Sequence, residues 1–276
     1  MILSEYMIEI CAAFCYNDKK EVVPMSALAL RIIACVCMLL DHIGFCFGGR
    51  YPFLQPLRWI GRIAFPLYVF LIVNGFRHTS NRLRYALRLA IFALISQVPF
   101  ALMSHPKTML GTLNVFVTLL LALLTVWATD ELRKHRFTKY LCFLPTLAVF
   151  LVYHFGLIHS DYGAKGILLA MTFYLFDGKY LLTVIGMLAS IYHPYLFSLG
   201  VNTLRLLQGR EASFTPPDHW ATVQIFSLLS LVFIFLYNGK KGKLPVSKVG
   251  AKAVQLGFYL FYPVHMLVLY GLKQLL

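Results

Sequence analysis

Apolar residues fill nine stretches of the chain, each close to the length that a helix needs to cross a bilayer. A helix rises about 1.5 Å per residue, so about 20 apolar residues span a hydrocarbon core of roughly 30 Å. Polar breaks separate the stretches, which lie near residues 26–48, 59–76, 85–103, 112–129, 140–156, 164–176, 180–199, 220–237 and 253–273. The pattern predicts an all-α fold, a polytopic integral membrane bundle of about nine transmembrane helices.

The composition excludes a soluble globular protein. Of the 276 residues, 59% are hydrophobic and 13% charged, which leaves too little polar surface. The net charge of +14 would favour nucleic-acid binding in a soluble protein, but here the basic residues form short clusters between apolar stretches. We therefore expect contact with a lipid bilayer and no nucleic-acid partner. The six cysteines show no repeated CxxC spacing, so we expect neither a disulfide framework nor a metal site.

The basic residues predict the orientation, because Lys and Arg concentrate in cytoplasmic loops. Alternate segments place sixteen of them on one side and six on the other. The larger set comprises Lys19, Lys20, Arg77, Arg82, Arg84, Arg88, Arg133, Lys134, Arg136, Lys139, Lys179, Lys240, Lys241, Lys243, Lys248 and Lys252. We therefore predict a cytoplasmic N-terminus and an external C-terminus. Residues 1–24 are expected to form a cytoplasmic or interfacial segment, and residues 25–276 a single transmembrane domain.

The first apolar segment carries three ionisable side chains, Arg31, Asp41 and His42. Such groups are costly inside a membrane, which makes them candidates for function. Arg31 and His42 are eleven residues apart, about three helical turns, so they share a face and lie roughly 16 Å apart along it. Asp41 points about 100° away from its neighbour, so adjacency alone does not pair it with His42. A snorkelling arginine and a hydrogen-bonded core histidine are the structural alternative.

A histidine near the outer membrane surface suits general-base chemistry, because its unperturbed pKa of about 6.5 is close to neutral pH. The chain has no phosphate-binding glycine loop, no HExxH helix and no GxSxG elbow. His42, supported by a carboxylate, could remove a proton from an amine or hydroxyl that attacks an activated acyl group. Intramembrane Arg, Asp and His also act as proton relays, so a transporter remains an alternative.

The second and third segments also carry polar groups into the membrane region. The second begins with basic residues that include Arg62, is interrupted by Pro66 and ends near Asn74 and Arg77. Proline permits a kink where other groups satisfy the freed carbonyl, and a kinked helix with snorkelling arginines explains this segment equally well. In the third segment Gln97 precedes a proline, and interhelical hydrogen bonding is favoured over a substrate contact.

Two later positions combine polar side chains with turn-forming or helix-bending residues. The loop over residues 159–166 is bracketed by glycines, holds Asp161 beside Tyr162 and lies on the same predicted side as His42. A helix-capping aspartate explains it as well as a functional site does. In the last segment His265 follows Pro263, and a structural histidine is the commoner explanation there.

Six sequence segments carry a resemblance to a known family. They are LRIIACVCMLLDHIG (30–44), GRIAFPLYVFLIVNGFRHT (61–79), LISQVPF (94–100), LNVFVTLLLAL (113–123), DYGAKG (161–166) and FYLFYPVH (258–265). In this order they resemble the TraX family, whose namesake acetylates the N-terminus of the conjugative pilin subunit. The family is similar to a branch of the transmembrane acyltransferase superfamily, in which an arginine, ten intervening residues and a histidine on the first helix mark the active site.

The resemblance implies an acetyltransferase in the bacterial inner (cytoplasmic) membrane, with acetyl-CoA as the acyl donor and no metal. It implies His42 as general base and Asp41 as its supporting carboxylate or a structural group. Arg31 would be a donor-binding or structural cation, and Arg62 and Arg77 are further candidates for donor binding.

The acceptor implied by the resemblance is an amine or hydroxyl at the outer side of the membrane, on a pilin subunit or a cell-envelope glycan. The candidates for substrate binding or support are Asp161, Tyr162, His265, Asn74 and Gln97. A proton-coupled small-molecule transporter and a non-enzymatic pilus-assembly protein are the alternatives. A transporter would be expected to show two related halves, and the sequence has no convincing internal repeat.

Overall fold

The computed structural model describes residues 24–104, 110–213, 222–243 and 247–276, and these residues form a bundle of helices. The α-helices are α1 (Ala27–Phe47), α2 (Leu57–Gly61), α3 (Ala64–His78), α4 (Arg82–Ser104), α5 (Val115–Lys134), α6 (Leu144–His154), α7 (Gly163–Leu175), α8 (Tyr180–Leu207), α9 (Ser230–Phe235) and α10 (Lys248–Leu275). Three 3-10 helices lie at Pro52–Leu54, Thr138–Leu141 and Gln224–Leu229. The predicted all-α fold is confirmed. Residues 1–23 of the predicted N-terminal segment lie outside the described residues.

The nine predicted apolar segments all coincide with helical stretches. Within the described residues, six are long and apolar enough to cross a membrane, namely Ala27–Phe47, Pro52–His78, Arg82–Ser104, Val115–Lys134, Tyr180–Leu207 and Val249–Leu275. The other three apolar stretches are shorter, at Thr138–His154, Gly163–Leu175 and Gln224–Phe235. The architecture is therefore the predicted helical membrane bundle, with six long apolar helical stretches and three shorter ones in the part of the chain that the structure describes.

The stretch that contains Pro66 is interrupted before the proline, not at it. Helix α2 ends at Gly61 and α3 begins at Ala64, so Arg62 lies at the break. Pro66 occupies the first turn of α3, where a missing backbone N–H costs no hydrogen bond within the helix. The interruption leaves Arg62 between the two helices, where its side chain bonds to Asp41 of α1.

Helix α1 packs against α2 at very short range. A Cβ atom placed on Gly61 would lie 2.2 Å from Cβ of Asp41, far inside van der Waals contact. Only a glycine lets the two backbones approach this closely. The close approach brings Arg62, the residue after Gly61, beside Asp41.

Five helices enclose the part of the bundle that carries the site. Helix α10 packs against α1 and α4, α5 packs against α4 and α7, and α3 packs against α1, α5 and α7. Each of α1, α3, α4, α5 and α10 contributes a fully buried side chain to their common core, namely Leu30, Leu67, Leu89, Leu123 and Met266. This apolar core fixes the positions of the polar residues between the helices.

The loop before α7 is fastened to the start of α5. The backbone N–H of Leu113 donates to the carbonyl of His159 at 2.8 Å, and the N–H of Asp161 donates to the carbonyl of Leu113 at 3.0 Å. The hydroxyls of Thr118 and Ser160 form a hydrogen bond of 2.7 Å. These bonds hold the loop in one conformation and place Asp161 against the helices that enclose the site.

Candidate functional site

A cavity of about 210 Å³ extends along α1 from Arg31 to Phe45. Arg31 and His42 both line it, in agreement with the predicted shared face of α1. Helix geometry separates these two residues by roughly 16 Å. The other charged residues in the wall are Asp41, Arg58, Arg62 and Asp161. The cavity therefore connects an arginine at one end with a histidine and a charged cluster at the other.

His42 forms a hydrogen bond with His265 of α10. Its Nδ1 lies 2.6 Å from Nε2 of His265, and the two rings are nearly parallel with centroids 4.9 Å apart. On the far side of His265, Nδ1 lies 2.5 Å from the carbonyl oxygen of Phe261. A carbonyl oxygen only accepts, so Nδ1 of His265 carries a proton, and Nε2 of the neutral ring accepts from Nδ1–H of His42.

This bonding pattern assigns His42 the tautomer that a general base needs. With the proton on Nδ1, the Nε2 atom of His42 carries a lone pair, and it makes no hydrogen bond to a described residue. His42 lines the cavity, whereas His265 is 6% exposed and lies behind it. His265 is thus placed to orient His42, instead of contacting a substrate directly.

Asp41 contacts two arginines, and the hydrogen bond that Nδ1–H of His42 donates goes to His265 instead. Oδ1 of Asp41 accepts from Nη2 of Arg62 and lies 3.6 Å from Nε of Arg58. The side chains of Asp41 and Arg62 are 13% and 9% exposed. The helical offset of about 100° between adjacent residues explains why Asp41 faces α2 while His42 faces α10. Of the two roles considered for Asp41, the geometry fits the structural one.

Removal of Arg62 is expected to destabilise the protein strongly. Arg62→Gln leaves the buried carboxylate of Asp41 with only the more distant Arg58, and breaking a buried ion pair from one side costs about 3 kcal/mol or more. The added change Asp41→Asn removes the uncompensated charge and should restore part of the loss. The free energy of unfolding in detergent micelles measures both effects.

Lys134→Gln is the matched control for this prediction. Lys134 pairs with Glu131 at 3.0 Å and with Asp130 at 3.1 Å, and its own side chain is 50% exposed. Exposed ion pairs contribute about 1 kcal/mol or less. Equal stability losses for Arg62→Gln and Lys134→Gln would contradict a structural role for the Asp41–Arg62 pair.

Asp161 and Tyr162 line the same cavity as His42. The Tyr162 ring stacks on Phe65, with centroids 3.5 Å apart and planes within 5°. Asp161 is exposed and lines the cavity, but the surrounding protein still removes much of the water from its carboxyl group. Burial raises the pKa of its carboxyl to about 6, although the nearby Arg62 guanidinium opposes the rise. A carboxylate in this position can accept a hydrogen bond from a molecule in the cavity.

Arg77, predicted to bind the donor, lies outside the cavity wall at the end of α7. Its guanidinium donates to the carbonyl oxygens of Phe173 at 3.1 Å and Tyr174 at 2.9 Å, and it pairs with Asp177 at 2.7 Å. The last carbonyls of a helix have no partner within the helix and carry partial negative charge. The position therefore fits a structural cation that caps α7.

Asn74 and Gln97, predicted to support the substrate, also lie outside the cavity wall. Asn74 donates from Nδ2 to the hydroxyl of Tyr237 at 2.9 Å. Gln97 donates to the carbonyl of Thr112 at 3.0 Å and accepts from the backbone N–H of Asn114 at 3.0 Å. These bonds link helices and loops, which agrees with the interhelical role favoured for Gln97 in the sequence.

Several polar residues of the wall were not singled out as site residues from the sequence, among them Arg58 and Tyr262. Arg58 lies one helical turn before Arg62 and shares its carboxylate partner. Tyr262 lies three residues before His265, so the two share a face of α10. The spacing to a candidate residue on the same helix was the available signal in both cases.

Comparisons with known proteins confirm the resemblance described above. The TraX family model, described as TraX protein, matches residues 26–273. The chain is also similar to the probable fimbrial assembly protein FimC, serogroup H1, of Dichelobacter nodosus, at 29% identity over 274 residues, with 92% of this chain and 98% of the relative covered. No solved structure matches the chain.

Proposed function

Because the chain belongs to the TraX family, we propose that it is an acetyltransferase embedded in the bacterial inner membrane. It moves an acetyl group from cytosolic acetyl-CoA to an amine or hydroxyl acceptor at the outer side of the membrane. The observation that carries this proposal is the bond between His42 and His265 at the wall of a cavity that extends to Arg31.

The cavity offers features that the donor substrate requires. Acetyl-CoA combines a negatively charged nucleotide with a long, thin pantetheine arm. Arg31 lies at the predicted cytoplasmic end of the cavity and forms no ion pair with any carboxylate among the described residues. Apolar side chains, including Met38 and Leu89, line the wall as well. Arg31 would hold the anionic part of the donor while the arm extends toward His42.

His42 acts as base and then as acid in the proposed reaction. Its Nε2 accepts the proton of the acceptor N–H or O–H while the acceptor atom bonds to the carbonyl carbon of the thioester. The hydrogen bond from Nδ1 to His265 stays in place and holds the imidazolium. The carbon–sulfur bond then breaks with its electron pair on sulfur, and His42 returns the proton to that sulfur. The products are the acetylated acceptor and coenzyme A.

The acceptor would approach from the end of the cavity that holds Asp161. An ionised carboxylate there accepts a hydrogen bond from an amine or a hydroxyl and directs it toward His42. The relative named above is a probable fimbrial assembly protein, which favours a pilin subunit as acceptor. A cell-envelope glycan is the second class of acceptor.

Transfer of labelled acetyl groups tests the proposal. Purified protein in proteoliposomes is supplied with acetyl-CoA carrying carbon-14 in the acetyl group, and with either a pilin peptide that has a free N-terminus or a cell-envelope glycan. We expect label on one of these acceptors and release of an equal amount of coenzyme A thiol. The control is the same pilin peptide with its N-terminus already acetylated. It has no free N-terminal amine and should receive no label there.

Donor binding provides a second, independent measurement. By titration calorimetry, Arg31→Gln is expected to weaken acetyl-CoA binding at least tenfold, since a charge-assisted contact to phosphate is lost. Arg84→Gln is the control, because Arg84 is exposed and belongs to the same predicted cytoplasmic set. Acetyl-CoA that neither binds nor loses its acetyl group, together with proton-driven solute flux in the same vesicles, would favour a transporter instead.

A further inference from the structure

The buried hydroxyl of Tyr262 lies beside the backbone N–H of Val115, which can only donate to it, and the hydroxyl donates no hydrogen bond of normal geometry to a described residue. Tyr262 lines the cavity and is 3% exposed. Arg58, another polar residue of the wall, is paired with Asp41. A buried phenol O–H normally donates to an acceptor. A phenol O–H in a cavity wall that has no acceptor in the protein therefore points to a ligand that accepts from it.

Aromatic packing holds the Tyr262 ring close to His42. The two ring centroids are 6.2 Å apart, with planes inclined at 60°. Phe116 meets the Tyr262 ring edge to face at 5.3 Å, and the His265 ring lies 5.9 Å away at 70°. Neighbours on α1, α5 and α10 therefore fix the ring independently of its hydroxyl.

The separation from His42 suits two groups that act on one acyl carbon. One of them receives a proton from the attacking atom, and the other donates a hydrogen bond to the carbonyl oxygen. Each contact is about 3 Å long, and both reacting atoms are bonded to the same carbon, so the two protein groups must lie within about 8 Å of each other. The 6.2 Å between the ring centroids of His42 and Tyr262 is compatible with this limit on their polar atoms.

We propose that Tyr262 is a catalytic residue whose hydroxyl donates a hydrogen bond to the carbonyl oxygen of the acetyl thioester. This assignment rests on the proposed acetyl transfer. As the acceptor atom bonds to the carbonyl carbon, the carbonyl π electrons move to that oxygen, and the hydrogen bond from Tyr262 stabilises the negative charge. When the electrons return, the carbon–sulfur bond breaks and the proton held by His42 goes to the sulfur. Tyr262 keeps its own proton throughout.

Infrared spectroscopy tests the hydrogen bond directly and needs no acceptor. Acetyl-CoA labelled with carbon-13 at the carbonyl is bound to His42→Ala, which is expected not to turn it over. A hydrogen bond weakens the carbonyl bond, so the labelled band should lie at lower frequency than in free acetyl-CoA. In the double variant His42→Ala with Tyr262→Phe, the band should return to the free position. His42→Ala retains Tyr262, so an unshifted band in this variant would overturn the proposal.

Kinetics of Tyr262→Phe provide a second test. The variant keeps the ring and removes only the hydroxyl, and kcat is expected to fall by a factor on the order of 10² to 10³ with the donor KM within about twofold of normal. Tyr174→Phe is the control, since its hydroxyl donates to Asp130 at 2.9 Å and Tyr174 lies outside the cavity wall. It should leave kcat unchanged.

The outcomes separate this assignment from the proposed function. A raised donor KM with normal kcat would make Tyr262 a donor-binding residue only, which contradicts the proposal. The kcat values are normalised to the folded fraction, because Tyr262→Phe also removes the contact between the hydroxyl and the Val115 N–H. If native protein does not bind acetyl-CoA at all, the proposed function itself fails.

Discussion

Substitution of His42 by alanine should reduce the rate of acetyl transfer by a factor on the order of 10² to 10⁴, the range that general acid–base catalysis contributes. The variant lacks the Nε2 lone pair that receives the acceptor proton, and it also lacks the acid that protonates the leaving sulfur. Donor binding should persist, because Arg31 lies roughly 16 Å away at the other end of the cavity. The measurement is kcat with labelled acetyl-CoA, beside the dissociation constant of acetyl-CoA.

His78→Ala is the matched control for this variant. His78 lies at the exposed end of α3, where Nδ1 bonds to the carbonyl of Asn74 at 2.8 Å, and it does not line the cavity. Its removal should leave kcat unchanged. Normal turnover by folded His42→Ala protein would eliminate the proposed mechanism.

Replacement of His265 by leucine should lower kcat by a factor on the order of 10² to 10⁴, although His265 does not touch the cavity. Without an acceptor for Nδ1–H, His42 can place its proton on Nε2, and that tautomer cannot accept a proton from the substrate. The imidazolium formed during transfer also loses its partner. The effect should fall on kcat and leave the KM for acetyl-CoA close to normal.

A conservative variant distinguishes positioning from packing. His265→Gln supplies a side-chain carbonyl oxygen that accepts from Nδ1–H of His42, so it should recover part of the activity that His265→Leu loses. Thermal unfolding in detergent monitors the stability of both variants. Equal activity of the leucine and glutamine variants at equal stability would contradict the orienting role.

The sequence was sufficient to locate the helices and one functional face. Apolar segment length marked all nine helical stretches, and the eleven-residue spacing of Arg31 and His42 placed both on the side of α1 that lines the cavity. Both predictions depend only on the regular rise and period of a helix, which are local properties.

The partners of those residues could not be read from the sequence. Periodicity shows which face of a helix is polar but not which helix faces it, so it did not pair His42 with His265 or Asp41 with Arg62. Each contact depends on close packing, for example the approach of α2 to α1 at Gly61. The same limit explains why Arg77, Asn74 and Gln97 looked like site residues. Their polarity was visible, but their structural partners lie on other segments of the chain.

The bond between His42 and His265 joins residues that are 223 positions apart, on the first and last described α-helices. Ribosomal synthesis delivers α1 to the membrane long before α10 has been made. Until α10 enters the bilayer, a growing chain therefore holds His42 without the partner that orients its ring. A chain truncated before α10 is expected to keep α1 but to lack the orientation of His42 on which the proposed transfer depends.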